Sequence, residues 1–241
     1  MPVSIKQRIG AWIIPRLPVS RHVFNHFRLE LNALCVRMMH RFHPRYIVVI
    51  GELRRRRNIL VNVGCGPFGQ FGWVNLDLYP QPNLSLRSDS RRSLPLAGGS
   101  CIGIHVEHFL EHLDPADECL VFLRECRRCL DAEGVLRVIV PDAGLYIRAY
   151  SDPGWATMNR IGLGGANPQD VFACKMDVLN HIFIQEWEHY GGWDGERLEL
   201  MLRNAGFTRV SLTSWREGCF PGGCIDREQH RSYSLYVEGK P

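Results

Sequence analysis

The feature that most constrains this chain is a short apolar run that ends directly on glycine. Asn58–Val63 has the texture of a buried strand, and Gly64-Cys65-Gly66-Pro67 follows at once. Glycines there let the backbone turn tightly and approach a ligand closely. Short apolar runs recur at Trp73–Leu78, Cys101–Val106, Val135–Val140, Phe207–Thr213 and Ser234–Glu238, with a briefer one at Leu84–Leu86. Helical patterns separate several of them. Asp114 is placed to cap one helix, with Pro115, Asp117 and Glu118 in its first turn and Arg124, Arg127 and Arg128 toward its end. Gly195–Asn204 reads as another, stopped by Gly206. Strands alternating with helices predict an α/β fold built on a doubly wound, mostly parallel, Rossmann-like sheet. Ala143–Tyr190 has no strand pattern and is too long for a simple crossover, so residues 143–190 are expected to form a lid or substrate insertion.

Residues 1–57 differ from the rest. They hold twelve Lys/Arg against Glu30 and Glu52, a net +10, whereas residues 58–241 carry a net −6. We divide the chain there, into a basic N-terminal helical extension and a ligand-binding domain. Ser20 is a candidate N-cap, and Val23, Phe27, Leu31, Leu34, Met38 and Phe42 recur at helical spacing up to Pro44, which is expected to stop the helix. That stripe is expected to lay the helix on the body. With Trp12, Ile13 and Ile14 beside Lys6, Arg8 and Arg16, the extension is also a candidate contact to an anionic membrane surface. Nucleic acid is not expected, and the oligomeric state is not legible.

At 45% apolar and 22% charged residues the composition is that of a globular protein, which excludes disordered, collagenous and disulfide-stapled classes. The longest apolar runs, Ala11–Ile14 and Tyr46–Ile50, are far short of a membrane span. The first twenty residues do not read as a secretory signal, and nine scattered cysteines suit a reducing cytoplasm, the expected location.

The second strand run ends in Asn75-Leu76-Asp77-Leu78. A carboxylate at the tip of the strand neighbouring a glycine turn can accept from both hydroxyls of a ribose. Gly64, Gly66 and Gly69 formally satisfy Gly-x-Gly-x-x-Gly. However, the nine residues Gly64–Gly72 leave no room for the helix that would hold a pyrophosphate. A ribose-bearing ligand without a diphosphate fits better.

These residues resemble a family. The stretch "NILVNVGCGPFGQFGWVNLDL" is similar to the opening of class I S-adenosylmethionine-dependent methyltransferases, in particular bacterial members that begin "LNLGCG…GW.N.D". The likeness continues through "SDSRRSLPLAGG", "IHVEHFLEHL", "FLRECRRCLDAEGVLRVIVPD", "HYGGWDGERLELMLRNAGF" and "SLYVEGKP", covering roughly residues 58–240 in the family's order. The resemblance implies S-adenosylmethionine as cofactor. Gly64, Cys65 and Gly66 would line its methionine end, Asp77 with Leu78 would hold the ribose, and Asp89 would face the adenine amino group. Glu107 and His108 would lie near the sulfonium. Departures are Asn62 and Gly103, where relatives carry acids, and Asp131-Ala132-Glu133-Gly134 in place of Lys-Pro-Gly-Gly. Many relatives serve surface-polysaccharide or natural-product pathways. The resemblance thus implies O-methylation of a small-molecule or glycan hydroxyl.

Such an acceptor needs a base. His108, His181 and His189 are the candidates, and a neutral His189 near its usual pKa of ~6.5 suits the task. We take His189 and His108 as the catalytic pair. Two other readings compete. His108-Phe109-Leu110-Glu111-His112 matches the His-x-x-Glu-His pattern of zinc peptidases, with Glu186 or Glu188 as a third ligand. A domain that binds the cofactor without turnover is the other. Cys126-x-x-Cys129, Cys119, Cys219 and Cys224 read as small apolar or loop residues, and no metal is expected.

Overall fold

The computed structural model describes residues 20–241, so Lys6, Arg8, Trp12, Ile13, Ile14 and Arg16 lie outside the described residues. The strands are β1 (Ile59–Val63), β2 (Val74–Asp77), β3 (Leu86–Arg87), β4 (Cys101–Glu107), β5 (Leu130–Pro141), β6 (Arg209–Thr213) and β7 (Ser234–Lys240). They form one seven-stranded sheet in the order β3-β2-β1-β4-β5-β7-β6. Only β7 runs antiparallel to its neighbours. This is the expected doubly wound, Rossmann-like sheet. β1 lies between β2 and β4, so the winding reverses there and leaves a crevice at the carboxyl ends of those strands. The apolar runs of the sequence coincide with these strands to within a few residues. β5 starts earlier, at Leu130, because Leu130 pairs with Cys101 beyond an irregularity in the ladder.

The helices are α1 (Arg21–Phe42), α2 (Pro44–Arg55), α3 (Glu118–Cys129), α4 (Ala143–Ser151), α5 (Ala156–Ile161), α6 (Pro168–Val171), α7 (Lys175–Ile184) and α8 (Gly195–Asn204). α3 begins four residues after the expected cap. The Asp114 carboxylate accepts from Ala116 N instead, and its carbonyl accepts from Glu118 N and Cys119 N. α3 buries Cys119, Phe122, Leu123, Cys126 and Cys129 against the sheet. The strandless stretch is helical, and α4, α5 and α7 pack around their own small core of Tyr146, Met158, Val178 and Ile182.

Two expectations are corrected. Pro44 does not merely end a helix. It occupies the first position of α2, where its missing N–H costs nothing, and His43 is the break between the helices. Nor does α1 pack through its apolar stripe. Val23, Phe27, Leu31, Leu34, Met38 and Phe42 are 49% to 63% exposed, while Ala33 and Val36 are buried. Polar bonds hold α1 to the body. Arg37 bonds Asp89 at 3.0 Å, Glu30 accepts from Arg91 at 2.5 Å, His40 bonds the Arg87 carbonyl at 2.6 Å and Asn32 accepts from Arg87 at 2.6 Å. Specific charge-assisted bonds outweigh the generic preference of an apolar face for the interior.

One face of the sheet is polar. Asn75, Asn62, His105, Arg137 and Glu238 stand in register across five strands, and all are buried. Among the described residues no helix covers that row. The β6–β7 connection does. Arg137 bonds Asp226 through two nitrogens and Glu238 at 3.0 Å, and it also donates to the Ser214 and Glu217 carbonyls. Phe220 stacks on Trp73 with centroids 5.7 Å apart. Gly103 permits this approach, because a Cβ there would lie 2.9 Å from Leu60, Phe220 and Pro221.

Candidate active site

A cavity of about 450 Å³ opens at the switch point between β1 and β4. Gly64 forms its floor. Its φ of +65° suits glycine alone, and a Cβ would lie 2.7 Å from the Phe109 ring. Asp77 ends β2 and faces the cavity. Its Oδ2 accepts from Gly66 N at 2.9 Å and its Oδ1 from Tyr79 N at 2.8 Å, so the carboxylate is fixed with a lone pair left on each oxygen. Leu78, Ser88, Asp89 and Ser90 continue the wall. The Ser88 and Ser90 hydroxyls are buried without any hydrogen-bond partner among the described residues. Such orphans signal a missing polar partner. A nucleoside, with ribose hydroxyls for Asp77 and a hydrogen-bonding base edge for the serines, fits these donors and acceptors.

Not every expected ligand residue meets this cavity. Asp89 does, but Arg91 and Arg37 hold its oxygens at 2.8–3.2 Å. Cys65 and Glu107 line a separate cleft of about 190 Å³, which shares only Gly64 with the larger one. Burial, with Asp77 nearby, pushes the Cys65 thiol up to about 12, so it stays protonated. Burial alone would raise the Glu107 carboxyl. The hydrogen bond from His230 and the charge of Arg227 outweigh it and hold the carboxyl below its ordinary value. Gly66 meets the site through its amide on Asp77 rather than along the wall.

The end of the 143–190 segment and the N-terminal half of α1 roof the cavity, and sequence reasoning did not anticipate α1 there. The Trp187 and His22 rings lie tilted with centroids 5.2 Å apart, and Tyr190 Oη lies 3.4 Å from His26 Nδ1. Gln185, Glu186 and Trp187 all have positive φ, three consecutive non-glycine residues in a conformation that costs roughly 1–2 kcal/mol each. Strain of this kind persists where the surroundings enforce it, typically at sites that work.

His108 lines both this cavity and a second one of about 280 Å³ inside the 143–190 segment. Its Nε2 is 2.9 Å from Ser234 Oγ, its ring stacks on His230 at 3.7 Å, and its Nδ1 is 3.2 Å from Glu111 Oε1. Burial, then the neighbouring His230 and Arg227 charges, hold its pKa well below the usual value, so it is a neutral imidazole. Glu111 is 1% exposed, and neither oxygen makes a hydrogen bond of good geometry. Burial pushes its carboxyl up to about 7. Sequence reasoning met Glu111 only inside the zinc pattern; its burial is a tertiary property.

His189 lines the second cavity but not the first. Its Nδ1 bonds the Ile182 carbonyl at 2.9 Å, and burial lowers its pKa to about 4, which corrects the expectation of an ordinary value. His181 lines the same cavity, its pKa also lowered by burial. The zinc-peptidase geometry is absent. Leu110–His112 is a single 3-10 turn, so His108 and His112 do not share a helix face, and His112 Nδ1 bonds the Glu188 carbonyl at 2.9 Å. Among the described residues Glu111, His112 and His189 form a potential ligand trio, with ligand atoms within 4.8 Å of one another. A shared divalent ion at about 2.0–2.2 Å from each would need them roughly 3.3–3.6 Å apart. The limit of 4.8 Å includes that spacing, so the trio is a candidate ligand set.

No protein-family model matches the chain, and no curated protein matches it. Among solved structures it is similar to an S-adenosylmethionine-dependent methyltransferase from Archaeoglobus fulgidus, at 15% identity, 87% coverage of this chain, 94% of that one and a TM-score of 0.43. It is similar to the 1,6-didemethyltoxoflavin-N1-methyltransferase of Burkholderia thailandensis, at 15% identity, coverages of 93% and 92% and a TM-score of 0.45. A third likeness is to a possible histamine N-methyltransferase from Thermotoga maritima, at 12% identity, coverages of 85% and 98% and a TM-score of 0.46. At that distance only this chain's own residues bear on its ligand.

Proposed function

We propose that this chain is an S-adenosylmethionine-dependent methyltransferase acting on a hydroxyl of a small molecule or glycan. One observation carries the reading. The switch-point cavity, with Asp77 fixed toward it and two unpartnered serine hydroxyls in its wall, shares His108 with a second cavity inside the 143–190 segment. That is the layout of a nucleoside-type donor beside an acceptor. When bound, S-adenosylmethionine would supply an electrophilic methyl group to an in-line acceptor oxygen, with S-adenosylhomocysteine as the leaving group.

The chain's own task is then orientation, exclusion of water and removal of one proton. Asp77 and the serines orient the donor, and α1 with Trp187 and Tyr190 closes over it. His108 takes the acceptor's proton at Nε2, where Ser234 Oγ now sits. Glu111, 3.2 Å from Nδ1, holds the resulting imidazolium. His189 acts from the acceptor side. The cysteines are all free thiols, in keeping with the cytoplasmic placement we propose.

Calorimetry with S-adenosylmethionine and S-adenosylhomocysteine tests the reading. Micromolar or tighter binding is expected, weakened more than tenfold in Asp77→Ala, since two ribose hydroxyls lose a charged acceptor of roughly 1.5–3 kcal/mol. Absence of binding by the wild type, or equal binding by the variant, rejects it. Binding with no methyl transfer to any sugar or small-molecule hydroxyl would leave the non-catalytic reading.

A further inference from the structure

α1 turns its apolar residues away from the protein. Val23, Phe27, Leu31, Leu34, Met38 and Phe42 form one continuous exposed stripe along a 22-residue helix. Ile47 and Val48 of α2 are exposed as well. The orientation is locked. Rolling α1 to bury the stripe would break the Arg37–Asp89 and Glu30–Arg91 pairs and the bonds of His40 and Asn32 to Arg87. Among the described residues nothing covers this face.

We infer that the outward face of α1 docks on an anionic lipid surface. Charge selects that occupant. At 100° per residue, Arg21 and Arg28 flank the stripe on one side and Arg41 on the other, and all three are exposed. Exposed Arg45 and Arg54–Arg57 follow on and after α2. Glu30 is the only carboxylate of α1, and it is turned onto Arg91. The exposed Glu52 of α2 is the one other carboxylate of the two helices, so the outward surface is apolar in the middle and strongly cationic at its margins. A helix so built lies in a bilayer interface with its apolar side among the acyl chains and its arginines at the phosphates. A second copy of the chain would set eight exposed arginines against eight, with only Glu52 and the paired Glu30 to offset them. Because the other side of α1 roofs the 450 Å³ cavity, docking brings that cavity to the lipid surface.

Flotation of the full chain with phosphatidylcholine vesicles, with and without phosphatidylglycerol, tests the inference without involving any cofactor. Binding is expected to the anionic vesicles at low salt and to fall on raising the salt. The triple variant Phe27→Ser/Leu31→Ser/Leu34→Ser should lose at least about tenfold in partitioning. Its thermal melting should stay unchanged, since all three side chains are exposed. A chain lacking residues 1–19 should float as the full chain does. Three results would overturn the inference: no flotation of the wild type, equal flotation of the triple variant, or a wild-type dimer that the triple variant converts to monomer. The last would make a second copy the occupant.

Discussion

Glu111 is a buried carboxylate whose charge nothing close by among the described residues offsets. It is buried beside His108 with no hydrogen bond to either oxygen, and its carboxyl is pushed up to about 7 from 4.5. A folded-state pKa above the unfolded one means that the native state binds more protons between those values, so stability falls as pH rises through that window. Above pH 7 the penalty is full, about 3 kcal/mol for this shift. Glu111→Gln should therefore stabilise the protein by about 2–3 kcal/mol at pH 8 and by little at pH 4.5, read by urea unfolding at the two pH values. Unequal stability in the opposite sense would show that the carboxylate has a partner. Because Glu111 must be ionised to hold an imidazolium, turnover by the wild type should rise through pH ~7, and that rise should vanish in Glu111→Gln. His108→Ala should cut turnover roughly 10²–10⁴-fold with cofactor affinity within a factor of a few. His189, lowered to about 4, should show no ionisation in a proton NMR titration across the neutral range.

At the scale of elements, the β6–β7 connection replaces a helix over the polar face of the sheet, and Arg137 holds it there. This guanidinium is fully buried and bonded to two carboxylates. Arg137→Met should cost about 3–5 kcal/mol in chemical unfolding, because Asp226 is left buried without its partner. Gly103→Ala should cost about 1–3 kcal/mol by forcing Phe220 and Pro221 aside. A destabilisation by Arg137→Met of under about 1 kcal/mol would mean that the connection can reopen to water. The strands that carry Asn62, His105 and Arg137 were legible as strands, since their alternate residues are apolar. Their polar row was not read as a row, because register between strands is not written in either strand. α1 makes the same point for a helix. Its period was plain, but the side that faces inward was decided by Asp89, Arg87 and Arg91, more than fifty residues away from Arg37, Asn32 and Glu30 respectively in two cases and about sixty in the third.

For the molecule as a whole, a ligand that bridges the sheet's switch point, α1 and the 185–190 segment should bind the native state alone. S-adenosylhomocysteine at a hundredfold excess over its dissociation constant should then stabilise the chain by about 2.7 kcal/mol, visible as a rise of roughly 5–11 °C in Tm. Unchanged melting at saturation would argue against the cavity as its site. The places of the strands along the chain, the glycine turn after β1 and the acid at the tip of β2 were determined by the sequence alone. Each is a property of a few adjacent residues: an apolar run, a residue free to take positive φ, a carboxylate at a strand end. Only the tertiary structure decided that Cys65 and Glu107 face away from the larger cavity and that Arg37 and Arg91 claim Asp89. It likewise decided that Glu111 is buried without a partner and that the apolar stripe of α1 points outward. Those outcomes depend on burial and on charged partners distant in the chain, and no local pattern encodes either.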